Sequence, residues 1–150
     1  MEINEFRLRH QLRVRWAEVD QQSIVFNGHY FLYFDVATTE YWRAIGFSYP
    51  NGFAAIGGDL FAVKANAEFL KPAEFDDVLE IGCRVSQLGR TSITLTLGVF
   101  RCEELLTRGN LIYVFASLPE RQPAPIPEQL KTAISQFEIL TPSLKAPSQS

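Results

Sequence analysis

Histidine and cysteine, the residues most often found at metal centres and in nucleophilic catalysis, are scarce here: two of each in 150 residues. Cys83 and Cys102 form no CxxC pair and no Cys/His cluster, so their spacing offers nothing to a zinc ion. Both fall in strand-like stretches, where a reduced, buried thiol is expected. His10 and His29 stand alone, and neither lies in a nucleophile-elbow context, so a Ser-His-Asp or Cys-His constellation has no support. A cationic excess is missing as well. Fourteen Lys and Arg against seventeen Asp and Glu leave a net charge of -3, which argues against nucleic acid held on a broad basic surface. No apolar run reaches the length of a membrane span, since YFLYFDVA is broken by Asp35. The first residues, MEINEFRLRHQ, are charged and lack the apolar core of a signal peptide, so a reducing, cytoplasmic setting is expected. There is no internal repeat.

What is abundant is apolar and aromatic. Hydrophobic residues make up 47% of the chain and twelve residues are Phe, enough for a large core or an apolar subunit interface. The length predicts a single domain, placed at 1–140, with a flexible tail over 141–150.

From Phe6 to Trp16, Phe6, Leu8, Leu12, Val14 and Trp16 alternate with Arg7, Arg9, Gln11, Arg13 and Arg15. That period of two predicts a half-buried strand with a basic outer face. His10 lies on its apolar side, as a core or interface histidine. A loop over Glu18 to Phe26 follows, with Asn27 as N-cap of the next element. From Gly28 to Ile45, apolar residues at 30, 33, 34, 37, 41, 44 and 45 recur at helical spacing, and Phe31, Leu32, Val36 and Trp42 fill much of the other side. A helix apolar nearly all round is a buried one, and Gly46 is placed to stop it.

The remainder reads as sheet. Leu60 to Leu70 is a strand with Phe61, Val63, Ala65, Ala67 and Phe69 on one face, ended by Pro72. Val78 to Val85 and Thr91 to Phe100 alternate, joined by a turn at Gly89. Arg108–Gly109–Asn110 reads as the next turn, although Glu103–Glu104 lies closer to its start, and Leu111 to Leu118 as the last strand. Pro119 to Pro127 is a breaker or linker, and Glu128 to Ile139 predicts a short amphipathic helix using Leu130, Ile134 and Phe137. Short turns imply antiparallel pairing, and a buried helix requires the sheet to curl around it. The predicted class is therefore α+β, a curled antiparallel five-stranded sheet wrapped round one long helix. The helix's remaining apolar surface invites a second subunit.

Asp20 is the chemical focus. It sits in a short loop leading into a helix N-terminus, beside backbone N–H donors near Asn27 and Gly28 that carry no intrahelical partner. A base next to oxyanion donors suits hydrolysis of an activated carbonyl, by direct attack or by delivery of water. Taken alone, Asp20 is more simply a loop or capping carboxylate, and it is resemblance to a known family that turns the balance toward catalysis.

The order strand, loop, buried helix, four strands resembles the hotdog fold. The run VRWAEVDQQSIVFNGHYFLYFDVATTEYWRAIG is similar to the acyl-CoA thioesterases of the 4-hydroxybenzoyl-CoA thioesterase group, through Asp20, Ile24, Val25 and Tyr30. AEFLKPAEFDDVLEI (67–81) and RVSQLGRTSITL (84–95) resemble the group's following segments, and the likeness spans Leu12 to Ala116. Within the group it stands nearer the branch of aryl-CoA enzymes and Tol-Pal-associated short-chain acyl-CoA enzymes, most of which have Gly where this chain has Ser23.

The resemblance implies an acyl-CoA thioesterase with Asp20 as base or nucleophile and a helix N-terminal oxyanion hole, with Asn27, Gly28, His29 and Tyr30 at the substrate. Asp35 matches the position that meets the ring hydroxyl of an aromatic acyl group, and a solvated or Thr39-paired helix carboxylate is an equal reading. Glu40, the kind of helical acid another hotdog branch uses, lies farther along. Lys71, Arg90, Thr91 and Ser92 would meet coenzyme A, although exposed cations are often merely solvated. The implied partners are the acyl-CoA substrate and further copies of the chain, a homodimer or tetramer with the site at the subunit interface. No metal or prosthetic group is called for, coenzyme A being part of the substrate. The acyl group leans aromatic, hydroxybenzoyl- or dihydroxynaphthoyl-like. Alternatives are a short-chain aliphatic thioesterase, a hotdog hydratase or dehydratase (which wants a loop histidine), and a non-catalytic acyl-CoA or acyl-carrier-protein binding module. A protein-docking role for Pro119–Pro127 is a further one.

Overall fold

A computed structural model describes residues 1–146. Strand β1 (Leu8–Arg13) leads through a single 3-10 turn (Trp16–Glu18) to helix α1 (His29–Ala44) and the short α2 (Asn51–Ala54). Four strands follow, β2 (Gly58–Phe69), β3 (Val78–Leu88), β4 (Ser92–Arg101) and β5 (Glu104–Ser117). Then come β6 (Gln122–Pro123), α3 (Glu128–Phe137) and β7 (Ser143–Leu144). The main strands run in the order β1-β3-β4-β5-β2, all antiparallel. Crossing from β1 through α1 to the far edge lays the helix across the sheet, and the sheet curls round it as in a hotdog fold.

The alternation seen in β3 and β4 accounts for the core. Leu79, Ile81, Cys83 and Val85 on β3, and Ile93, Leu95, Leu97 and Val99 on β4, are fully buried. They meet Tyr33, Phe34, Ala37, Tyr41 and Trp42 of α1 in one continuous cluster. Leu130 and Ile134 of α3 join the same cluster, as their helical spacing predicts. Gly46 adopts φ 95 and ends α1, with its N–H bonded to Arg43 O at 3.2 Å and the Phe47 N–H to Trp42 O at 2.8 Å. This is a Schellman stop, and its positive φ favours glycine.

Several expectations are corrected. The first strand ends at Arg13, because Val14 exchanges backbone hydrogen bonds with Asp76 and Asp77; Trp16 then turns outward, 69% exposed. Helix α1 is not buried all round. Phe31, Leu32 and Val36 form an exposed apolar face that the chain's own sheet does not reach. In β2, a register shift between Ala62 and Lys64 bulges Val63, so Leu60 and Ala62 share the inner face with Ala65, Ala67 and Phe69. The turn before the last strand falls at Cys102 and Glu103, both at positive φ, and Arg108–Asn110 lie inside β5. Cys102 is consequently exposed rather than buried in a strand. Gly109 serves packing, not turning. The C-terminal segment is held as far as Lys145: β7 pairs with Gln87 and Leu88, and the Lys145 N–H bonds Leu88 O at 2.8 Å. Residues 147–150 of the expected flexible tail lie outside the described residues.

Candidate active site

The loop carrying Asp20 is built by local hydrogen bonds. Val19 and Val25 form a bridge, the Asp20 N–H donates to Ile24 O at 2.9 Å, and the Ser23 N–H donates to Asp20 O at 2.9 Å. The tight return requires a left-handed residue, and Ser23 supplies it with φ 64. Asp20 Oδ1 accepts the Gln22 N–H at 2.8 Å, an Asx turn that orients the carboxylate. Ile24 bridges Glu74, and the Val25 N–H donates to Ala73 O at 2.9 Å, which fastens the loop to the segment leaving β2.

Asn27 does not cap the helix. Gly28 takes that place with αR dihedrals and no side-chain cap. The N–H groups of His29, Tyr30 and Phe31 donate to the carbonyls of Phe26, Asn27 and Gly28, forming one tight turn. The N–H groups of Asn27 and Gly28 have no acceptor among the described residues, and these are the donors expected at this site. A cavity of about 300 Å³ opens here, lined by Asp20, Gln22, Ile24, Val25, Asn27, Tyr30, Phe69, Leu70, Lys71 and Pro72. Its polar end holds the Asp20 carboxylate, and its apolar wall comes from the helix and the end of β2. Tyr30 is buried; its hydroxyl accepts the Ala73 N–H at 3.2 Å, and its ring leans on Phe69 at 5.4 Å. Lys71 is the cation lining the cavity, and its ammonium is already paired with Glu104. Arg101 joins that pair to Asp77.

Beneath the loop lies Glu18, which the sequence reading passed over. It is buried. Its carboxylate accepts the Arg15 N–H at 2.9 Å, Arg15 Nε at 2.8 Å and the Tyr33 hydroxyl at 2.8 Å. His29 Nε2 stands 3.5 Å from Oε2. Burial pushes the Glu18 carboxyl up, but the Arg15 N–H, the Arg15 guanidinium and the Tyr33 hydroxyl outweigh it and hold the group below the ordinary range. Burial and the same carboxylate push the Tyr33 phenol up. Part of this was readable, since Glu18 stands three residues after Arg15 and returns to its N–H as in a capping box. Tyr33, fifteen residues on, carries no such signal.

The structure thus brings Asp20, Asn27, Tyr30 and Lys71 together at one cavity, with Gly28 next in the chain. His29 turns to Glu18 and the edge of Tyr33 instead of the cavity. Asp35 lies elsewhere, in a cavity of about 400 Å³ with Trp42, Tyr49, Leu60 and Tyr113. Burial first, and the Asp35 charge second, push the Tyr113 phenol up to about 12. Arg90 lines a third cavity with Lys131 and Lys145. Thr91 and Ser92 are buried, so in a single chain they are not surface contacts for a nucleotide.

A carboxylate beside N–H groups that lack an acceptor among the described residues, in a half-apolar cavity, is an arrangement that can serve acyl transfer. Residues 22–107 match the family model described as thioesterase superfamily. A putative esterase from Aquifex aeolicus (strain VF5) is 33% identical over 98 residues, 65% of this chain and 76% of that protein. The protein named acyl-CoA thioester hydrolase YbgC, from Escherichia coli O6:H1, is 25% identical over 137 residues, 91% of this chain and 99% of its own. A crystal structure of a 1,4-dihydroxy-2-naphthoyl-CoA thioesterase from Synechocystis superposes with a TM-score of 0.77 at 23% identity, over 85% of this chain and 94% of that one. That likeness is one of fold. No helix among the described residues is long and apolar enough to cross a membrane. With the family model spanning the Asp20 loop's end, α1 and the sheet as far as β5, this chain belongs to the thioesterase superfamily.

Proposed function

We propose that this thioesterase-superfamily member hydrolyses the thioester of a small aromatic acyl-CoA to the free acid and coenzyme A. The observation that carries the reading is that Asp20 shares one cavity with Asn27, whose N–H, like that of Gly28 next in the chain, has no acceptor among the described residues. Those donors polarise the thioester carbonyl and hold the oxyanion as it forms. Asp20 either attacks the carbonyl carbon, giving a mixed anhydride that water then opens, or draws the proton from an attacking water. In both routes the C–S bond breaks and the thiolate leaves and is protonated; the acid's new oxygen comes from water in the base route, and from the Asp20 carboxylate where water opens the anhydride at the Asp20 carbonyl. Single turnover in ¹⁸O-water separates the two, since only the anhydride route passes through the Asp20 carboxylate. No metal or prosthetic group enters this scheme.

The assembly is part of the proposal. The exposed Phe31, Leu32 and Val36 face of α1 supports a homodimer, and further association into a tetramer, with the site completed across the interface. A partner's Asp35 cavity and basic Arg90 turn then complement Asp20, which explains why neither meets it within one chain. The Asp35 carboxylate and aromatic walls of this cavity favour an aryl group bearing a hydroxyl, such as hydroxybenzoyl or dihydroxynaphthoyl. A reducing, cytoplasmic setting goes with this substrate.

The test is thiol release from a panel of aryl- and short-chain aliphatic acyl-CoAs by wild type and Asp20→Asn. The amide keeps the oxygen that accepts the Gln22 N–H, so the loop is retained while the base is lost. A fall in kcat of roughly 10²- to 10⁴-fold is expected. The best substrate decides between aromatic and aliphatic acyl groups. Equal rates remove Asp20 from the chemistry, and acyl-CoA binding without hydrolysis by wild type makes the chain a binding module.

A further inference from the structure

Glu18 is a buried carboxylate two residues from Asp20, and a buried charge is costly unless fully paired. Here the carboxylate is paired on both oxygens, to Arg15 before it and to α1 after it. Oε1 takes the Arg15 N–H and the Tyr33 hydroxyl, and Oε2 takes Arg15 Nε with His29 Nε2 beside it. The backbone carbonyl of the same residue accepts the Phe26 N–H at 3.0 Å. One residue therefore closes both ends of the loop that carries Asp20. It also grips the first two turns of α1 through His29 and Tyr33. Phe26 directly precedes Asn27, which lines the cavity, and Gly28; the N–H groups of both have no acceptor among the described residues. The two halves of the chemistry, a carboxylate on the loop and donors at the helix start, have no direct bond to each other. Glu18 is the joint between them.

We infer that Glu18 is the positioning residue of this site, setting the Asp20 carboxylate against the Asn27 and Gly28 donors through Tyr33, Arg15 and Phe26; the inference rests on the thioesterase reading above. Filling space alone would not call for it, because an apolar side chain of the same size fills space without a charge to pair. What an apolar residue cannot do is fix a direction between a loop and a helix. Such fixing matters because a misplacement of about 1 Å at a reacting centre can cost about 10²-fold in rate. Glu18 touches no substrate atom in this account, so its removal acts on turnover rather than on binding.

The test uses the full chain and the best acyl-CoA from the wild-type panel. Glu18→Gln keeps size and one acceptor oxygen but presents an amide N–H₂ to Arg15 and His29. It is expected to lower kcat by roughly 10- to 100-fold, with KM and the Kd of free coenzyme A held within about threefold. Tyr33→Phe removes one of the two bonds to Oε1 and is expected to lower kcat by a smaller factor, again at constant KM. Folding is followed by circular dichroism and thermal melting. A folded Glu18→Gln with wild-type kcat overturns the inference, as does a loss that appears equally in KM and in coenzyme A binding. Should Glu18→Gln fail to fold, Tyr33→Phe decides, and an unchanged kcat there overturns it. Failure of wild type to hydrolyse any thioester sinks the thioesterase reading and this inference with it. An active wild type beside an indifferent Glu18→Gln sinks only this one.

Discussion

Gly109 of β5 lies against the ring of Phe34 on α1: a Cβ at 109 would stand 2.8 Å from Phe34 Cε2 and 2.2 Å from Asn66 O. The helix can settle onto the sheet at this point because the strand offers no side chain. Gly109→Ala must push either the β2 backbone or the ring away, and overpacking of this kind costs about 1–3 kcal/mol. Urea denaturation should show the midpoint falling at unchanged slope. A variant within about 0.5 kcal/mol of wild type would mean that the helix rests elsewhere.

Glu138 holds the end of α3 to the sheet. Its Oε2 accepts the Tyr41 hydroxyl at 2.6 Å and the Val85 N–H at 2.8 Å, while Oε1 is buried with no partner among the described residues. Burial pushes this carboxyl above the ordinary range, and the two hydrogen bonds only partly offset it. The folded state therefore favours the protonated form. Its contribution is complete below the ordinary glutamate value of about 4.3 and is lost as pH climbs through the raised value. The Tm of wild type relative to Glu138→Gln should fall as pH rises through that window. A difference that stays flat, or reverses, would show the carboxyl to be ionised at no cost.

Ser23 holds a left-handed conformation that glycine adopts without strain. Ser23→Gly should therefore raise stability by about 1 kcal/mol, read as a higher Tm, with kcat for the wild-type substrate unchanged. A loss of activity would indicate that the hydroxyl, and not the backbone, matters at this corner.

Leu32 is 55% exposed at the centre of the uncovered face of α1, with Phe31 and Val36 on either side. In the proposed assembly this face is covered by a second copy. Leu32→Glu should weaken association, shifting the mass measured by light scattering toward the single chain at micromolar concentration, and lower activity in parallel. Full activity in a monomeric Leu32→Glu would show that one chain contains the whole site.

Local pattern made much of this protein legible. The alternation in β3 and β4, the 3.6-residue spacing of α1 and α3, and the stop at Gly46 are set by backbone geometry and side-chain polarity within a few residues. The errors have one character. Trp16 continued the alternation but followed Val14, whose hydrogen bonds to Asp76 and Asp77 end the strand. Gly109 looked like a turn residue because its constraint comes from Phe34, far away in the chain. Val63 kept perfect parity on paper, and the bulge against β5 reversed the faces on either side of it.

The candidate site divides the same way. A carboxylate in a short loop before a helix is a local arrangement, so Asp20, Asn27 and Gly28 could be read from residue order. Which neighbours complete the site is a question of distance in space. Lys71 lines the same cavity as Asp20 because the segment after β2 bonds to Val25, whereas Asp35 and Arg90 face other cavities. Glu18 acquires its place only when Tyr33 and His29 fold over it. Polarity and period act over a few residues and so determine the elements. A hydrogen bond or steric contact between distant residues exists only once the chain has closed, and such contacts decided which side chains share the site.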